Sequence, residues 1–211
     1  SVSEDETVIE LLRELDTPYV RIASIALDQP QNMVVTNDWI GAAEAARHLV
    51  DLGHRRIALV RGLASFRSSV VRGQGFIDAL KERGVNLPPA YDIQGAYTFD
   101  SGREAAHALL SLPEPPTAIF TLNDDMALGV MQAARERGLE LPRDLSVVGY
   151  DDLPMAAHIW PNLTSVRLPI RDMGRMAAEK LLAPMRGVDP ARLQQPEIRP
   201  SLVVRRSAIQ V

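Results

Sequence analysis

The stretch from Pro116 to Asp152 narrows the possible folds most. It reads Pro-Thr-Ala-Ile-Phe-Thr-Leu-Asn-Asp-Asp-Met-Ala-Leu-Gly, and it closes on Leu-Ser-Val-Val-Gly-Tyr-Asp-Asp. Ala118–Thr121 is a short apolar run of the kind a parallel strand buried on both faces requires. From Met126 onward Ala127, Val130, Met131 and Ala134 recur at helical spacing, and Gly138 stands where a helix C-cap glycine belongs. Ser146–Tyr150 is a second apolar run. Two parallel strands joined by a helix cross over right-handed, which brings both strand C-termini to one edge of the sheet. At that edge one strand delivers Asn123-Asp124-Asp125 and the next delivers Asp151-Asp152. Ligands of open α/β sheets bind at that edge.

The rest of the chain repeats the alternation. Residues 4–15 form a helix with Val8, Leu11, Leu12 and Leu15 on one face and acidic residues at its start. Pro18 ends it, Tyr19–Ile25 is a strand, and Asp28–Asn32 is a loop before a short extended Met33–Thr36. Asn37-Asp38 cap a helix from about Trp39 to Leu52, closed by Gly53. Arg56–Arg61 is a strand, and a helix follows from Ser68 to Arg83. Asp92–Gly95 is a strand, and Ser101 with Glu104 makes a capping box for the next helix. Past Pro161 the chain is extended to Pro169, then helical through Met173, Ala177 and Leu181, with Pro184 ending or kinking that helix. Pro196–Arg206 is a last extended segment. This pattern predicts a doubly wound parallel α/β sheet. The opening helix needs a sheet to bury its face and only one strand follows it, so strands preceding this chain are expected.

Composition removes several functions. Net charge is −4 over 211 residues and the arginines are scattered, whereas strong nucleic-acid binding needs clustered cations. There is no cysteine, so disulfides, thiolate metal sites and cysteine nucleophiles are excluded. No run approaches the roughly 18 apolar residues of a membrane helix, and the acidic start does not resemble a signal peptide.

The acidic clusters at the sheet edge have two readings. Asn123, Asp124 and Asp125 cap a helix, or they also accept hydrogen bonds from a ligand. Asp151 and Asp152 are solvated turn carboxylates, or they complete that site. Such carboxylates bind hydroxyls or N–H donors. They could also hold Mg²⁺, but no phosphate-cradling glycine loop accompanies them. Arg72, at the start of a helix, is a surface arginine or a fork of donors reaching into the same cleft. Phe66 and Tyr97 stand just beyond two strand ends, as core residues or as rings lining a rim. His48, His54, His107 and His158 have no metal-type spacing and are expected to be structural. Gly73-Gln74-Gly75 lies inside a helical pattern and is no dinucleotide fingerprint. No nucleophile–base set is present, so an enzyme is not expected, nor is a cofactor or a metal. A metal-dependent phosphotransferase using the aspartate pairs is the catalytic alternative.

An ordered set of motifs carries a family resemblance. It comprises Leu52-Gly53-His54-Arg55-Arg56-Ile57-Ala58, then Arg72-Gly73 with Gly75-Phe76, then Pro116-Thr117-Ala118-Ile119-Phe120 and Asn123-Asp124 with Met126-Ala127 and Gly129. Leu141-Pro142 follows, then Leu145 through Asp152, and Pro161 with Leu163-Thr164-Ser165-Val166-Arg167. From about Asp16 to Arg206 the chain resembles the effector-binding core of the LacI/GalR family of bacterial transcription regulators. The resemblance implies a type I periplasmic-binding-protein-like fold of two Rossmann-like parallel-sheet subdomains joined by three crossovers, the N-terminal one incomplete. Residues 1–36 and 161–192 would form the partial N-terminal subdomain, and 37–160 with 193–211 the C-terminal one. By motif position, Phe66, Ser68, Arg72, Tyr97, Asn123, Asp124 and Asp151 would contact a small effector, a sugar by family habit. Arg72 would anchor hydroxyls, Tyr97 would stack on the ligand, and Asp124 or Asp151 would accept hydrogen bonds. Operator DNA would be read by a helix-turn-helix domain outside this chain, in a cytoplasmic homodimer without membrane contact. A sugar-binding protein of a transporter shares the fold and is the alternative.

Overall fold

A computed structural model describes residues 6–22, 29–189, 193 and 197–211. Its main body is a six-stranded sheet in the order β4-β3-β5-β6-β7-β8. These strands are β3 (Ile57–Arg61), β4 (Asp92–Gln94), β5 (Ala118–Thr121), β6 (Ser146–Asp151), β7 (Thr164–Arg167) and β8 (Ser201–Val203). The first five are mutually parallel, and β8 runs antiparallel beside β7. The helices α2 (Asp38–Asp51) and α3 (Arg67–Glu82) pack together, as do α4 (Phe99–Leu109) and α5 (Asp124–Glu136). From β3 the chain moves outward to β4, and from β5 it moves the other way to β6. With right-handed crossovers α3 therefore covers one face while α4 and α5 cover the other. The reversal between β3 and β5 makes the ends of those two strands the switch point of the sheet, where open α/β sheets bind ligands.

The central strands carry side chains on both faces, so they read as continuous apolar runs. Ile57–Val60 and Ala118–Phe120 are fully enclosed, and Phe76 of α3 stacks on Phe120 with ring centroids 4.6 Å apart. The glycines closing α2, α3 and α5 sit at Gly53, Gly84 and Gly138, all with positive φ, as the helix-ending pattern predicts.

A smaller unit lies before and after this body. The helix α1 (Glu6–Glu14) precedes a two-stranded parallel ladder of β1 (Arg21–Ile22) and β2 (Met33–Val34). The helix α6 (Ile170–Leu182) packs on both strands. Its buried cluster is Val34, Met173, Met176, Ala177 and Ile198. The two units are stitched where Asn37 N–H donates to Ile198 O at 2.9 Å and Thr36 bridges Ile198 in parallel.

Three expectations need correction. The resemblance places Thr164–Arg167 with 161–192 in the small unit, but it pairs with β6 along four residues, so the large sheet keeps the chain through Arg167. The last strand is antiparallel, which an extended segment alone cannot reveal. The capping box is formed by Thr98 and Ser101, not Ser101 and Glu104, because α4 begins one turn earlier. Glu4, Asp5 and residues 23–25 of the expected first strand lie outside the described residues.

Candidate functional site

The site is built on the loops and helix starts that follow β3, β4, β5 and β6. The helix α5 starts immediately after β5, and Asn123 is its N-cap: Oδ1 accepts from Met126 N–H at 3.0 Å. The Asn123 Nδ2 donates to Tyr97 O at 3.0 Å, so the cap also ties the loop after β5 to the loop after β4. Capping and site building are here one function.

Tyr97 is held in the left-handed region at φ 62°. Its ring lies on Gly62, where an added Cβ would fall 2.0 Å from Tyr97 Cζ, so only glycine fits at the end of β3. Phe66 meets the ring edge-on, with centroids 5.7 Å apart, and Ser68 Oγ lies 3.3 Å from Tyr97 Oη. Burial pushes the Tyr97 hydroxyl up from its ordinary pKa, with Arg72 opposing, so it stays a neutral hydrogen-bonding group.

Arg72 is the centre of the arrangement. It is only 6% exposed and lies over the Tyr150 ring, 3.8 Å from the centroid. The Arg72 Nη1 donates to Leu122 O at 2.7 Å and to Asp151 Oδ1 at 3.3 Å. Its Nε is enclosed without a hydrogen bond, 3.6 Å from Asp38 Oδ1. Nη2 makes no hydrogen bond among the described residues and is not enclosed. Burial alone would lower the guanidinium pKa, but Asp38 and Asp151 outweigh it and fix the charge. Arg72 is therefore no surface arginine.

Asp151 and Asp152 stand in the left-handed region one after the other, at φ 105° and 54°. Two successive strained residues persist only where the surroundings over-determine them. Here Asp152 N–H donates to Ser165 Oγ at 3.1 Å and Leu153 N–H donates to Asp124 Oδ2 at 2.7 Å. Asp152 is itself gripped by Arg167 and Arg205, each at 2.6 Å. This clamped turn leaves Asp151 half-buried beside Arg72. Burial raises its carboxyl to about 6, against the opposing pull of Arg72.

Asp124 departs from the expected ligand contact. It is 1% exposed, and its second oxygen accepts from Ser165 Oγ at 2.5 Å. Both carboxylate oxygens are thus used inside the fold, and burial raises the group to about 7. A Cβ at position 149 would fall 2.3 Å from Asp124 Oδ1, so Gly149 makes the room for this carboxylate. Asp125, the third residue of the acidic cluster, is exposed.

Phe66, Ser68, Arg72, Tyr97, Asn123 and Asp151 are brought together, while Asp124 lies behind them. Sequence reasoning missed Asp38, Tyr150 and Ser165. Asp38 stood out only as a helix-start residue, Tyr150 as one apolar residue in a strand, and Ser165 as a motif letter. His54 is buried between Thr117 Oγ1, Ser146 Oγ and Ile209 O, and His107 Nε2 lies 2.9 Å from Glu136 Oε2. Among the described residues there is no cluster of His, Asp and Glu that could hold a metal ion.

Residues 46–208 match the model of the periplasmic binding protein-like domain family. The structure of a LacI-family regulatory protein from Chloroflexus aggregans superimposes with a TM-score of 0.85 at 36% identity, covering 95% of this chain and 72% of that one. The chain belongs to the LacI family. Among curated relatives, the HTH-type transcriptional regulator DegA of Bacillus subtilis (strain 168) is 38% identical over 207 residues, which are 97% of this chain and 61% of that protein. The ribose operon repressor of Escherichia coli (strain K12) is 34% identical over 201 residues, 94% of this chain and 60% of that protein. A LacI-family regulator from Enterococcus faecium with bound ribose has a TM-score of 0.84 at 27% identity, covering 98% of this chain and 76% of that one. The chain thus spans about three-fifths of the length of these two relatives. The fold, with its periplasmic-binding-protein-like sheet and helices, is that of the LacI effector domains.

Proposed function

We propose that this chain is the effector-sensing core of a LacI-type transcription regulator, taking a small sugar in the cleft between its two units. One observation carries the reading: at the switch point of the sheet, Arg72 keeps Nη2 open beside Asp151. A donor fork next to an acceptor carboxylate is what vicinal hydroxyls bind. Tyr97 and Phe66 add apolar ring surface for the ligand's carbon face. The regulator named with bound ribose and the ribose operon repressor, both similar along nearly all of this chain, support a carbohydrate.

In this proposal Arg72 and Asp151 hold hydroxyls, with Tyr97, Phe66, Ser68 and Asn123 lining the site. Asp124 supports the Asp151 turn from behind. Effector binding changes the angle between the units through the segments near Thr36, Leu168 and Ile198. A homodimer transmits that change to operator DNA through a helix-turn-helix domain outside these residues, in the cytoplasm. A coupling of about 1–3 kcal/mol would alter operator affinity roughly 5- to 150-fold. The similarity to repressors favours this over a transporter's binding protein, and the site is a binding site rather than a catalytic one.

A thermal-shift screen of the complete regulator against neutral monosaccharides and disaccharides tests the proposal. A saccharide that raises the melting temperature, and that changes operator affinity in a gel-shift titration, is expected. Tight saccharide binding with no effect on any DNA would favour the transporter reading.

A further inference from the structure

The chain crosses from the small unit into α2 at Asp38, and this carboxylate does more than start a helix. Its residue is 3% exposed. Its Oδ1 accepts from Thr36 Oγ1 and from Tyr150 Oη, each at 2.9 Å. Arg72 Nε stands 3.6 Å from the same oxygen and has no hydrogen bond of its own. The guanidinium is thus flanked by two carboxylates, Asp38 behind and Asp151 in front, with the Tyr150 ring beneath it. One positive charge is set against two negative ones. Nη2, the nitrogen left open to a ligand, belongs to a cation whose field is already cancelled.

We infer that Asp38 is a specificity-determining residue: by compensating Arg72 from behind, it makes this wall accept uncharged, hydroxyl-rich ligands and turn away anionic ones, such as phosphorylated or carboxylate sugars. The inference rests on the proposed effector site and names what that site selects. A neutral hydroxyl asks only for a donor and an acceptor, which Nη2 and Asp151 supply side by side. An anion asks for net positive potential, and Arg72 with Asp38 and Asp151 carries a net negative charge. The nearby Asp152 does not alter the balance in the ligand's favour, because Arg167 and Arg205 are committed to it. At an effective dielectric constant of about 20, removing one unit charge about 7 Å from a bound anion changes its affinity by a few tens of fold. Asp38 never touches the ligand in this account. It acts through Arg72, and its signature is a preference for ligand charge rather than a general loss of binding.

The experiment is calorimetric titration of inorganic phosphate into the wild-type regulator and into Asp38→Asn, at fixed ionic strength. Asparagine keeps the shape, and its Oδ1 still accepts from Thr36 and Tyr150. Phosphate should bind the variant at least about tenfold more tightly than wild type. Equal phosphate affinities in the two proteins would overturn the inference. If Asp38→Asn does not fold, Asp151→Asn removes the other flanking charge and should gain phosphate affinity in the same way; no gain there overturns it too. A panel of neutral saccharides run on the same samples separates the two levels. A saccharide that binds wild type, with phosphate affinity indifferent to residue 38, sinks the Asp38 assignment and keeps the effector site. A phosphate gain in Asp38→Asn with no saccharide bound by wild type upholds Asp38 and removes the neutral-sugar reading.

Discussion

The six-stranded sheet and the two-stranded ladder are built from the same kinds of element but held together differently. In the large unit, helices cover both faces of the sheet and whole strands are enclosed, with Phe76 stacked on Phe120 at the centre. The small unit rests on α6 lying across β1 and β2, with Val34, Met173, Met176, Ala177 and Ile198 as its buried cluster. A buried lysine adds to it: Lys180 Nζ donates to Met33 O at 2.8 Å and also to Pro30 O, and burial lowers its pKa. One unit is a packed core that fixes a constellation of polar groups. The other is a lighter body tied to it through Thr36, Asn37 and Ile198. A sensor needs this division, because rigid side-chain placement and easy relative movement cannot come from one and the same core.

The difference can be broken by mutation, starting with the largest effect. Phe120→Ala removes a fully buried ring from the centre of the large unit and should cost roughly 3–5 kcal/mol in denaturant unfolding. A loss under about 1 kcal/mol would mean that this core is not the main source of stability. Arg72→Ala should cost a comparable amount, about 3–5 kcal/mol, because it leaves the enclosed Asp38 and the half-buried Asp151 without their cation. Its unfolding midpoint should fall along with ligand binding, so it is a poor variant for testing binding alone. Lys180→Met should be milder, about 1–3 kcal/mol, and local. Hydrogen exchange should quicken at Met33 and Val34 while Val147 and Val148 keep their protection. Equal quickening in both places would show that the units unfold as one.

The smallest effect is a pH slope. Burial raises Asp124 to about 7 and Asp151 to about 6, above the 3.8 of a free carboxyl. The folded state therefore binds these protons more tightly than the unfolded chain. The stabilisation they give is complete below about pH 4 and is lost as the pH rises through about 6 to 7. Each group contributes a slope of at most about 1.4 kcal/mol per pH unit in that window. Melting temperatures of wild type should fall between pH 5 and pH 8 more steeply than those of Asp124→Asn. Parallel curves would show that Asp124 is not held protonated inside the fold.

Much of the large unit was legible because its strands and helices alternate with clear punctuation. Short apolar runs, helical spacing and closing glycines each point to the same layout. The switch-point residues Arg72, Asn123 and Asp151 could be found by following strand ends. The small unit was harder: its strands β1 and β2 are two residues each, too short for a periodic signal. The direction of β8 and the membership of β7 depend on pairing partners distant in sequence, which local pattern does not encode. The site was half legible for a related reason. Asn123 and Asp124 are adjacent and similar in chemistry, yet one ties Tyr97 to the helix start while the other turns inward to Ser165 and Leu153. Asp38 looked like a helix-start carboxylate because only the folded chain brings Arg72 and Tyr150 to it. Arg72 is a buried hub because the fold gathers Leu122, Asp38 and Asp151 around it, from three separate stretches of chain.

The central claim is that Arg72 and Asp151 hold the hydroxyls of a small neutral ligand at the switch point of the large sheet. Asp151→Asn tests it most directly, since asparagine tolerates the left-handed backbone at this position and leaves Arg72 in place. The measurement is calorimetric titration of the saccharide identified by thermal shift into wild type and this variant. The account predicts a loss of about 10- to 100-fold in affinity with little change in melting temperature. Unchanged affinity in a folded Asp151→Asn protein would contradict it.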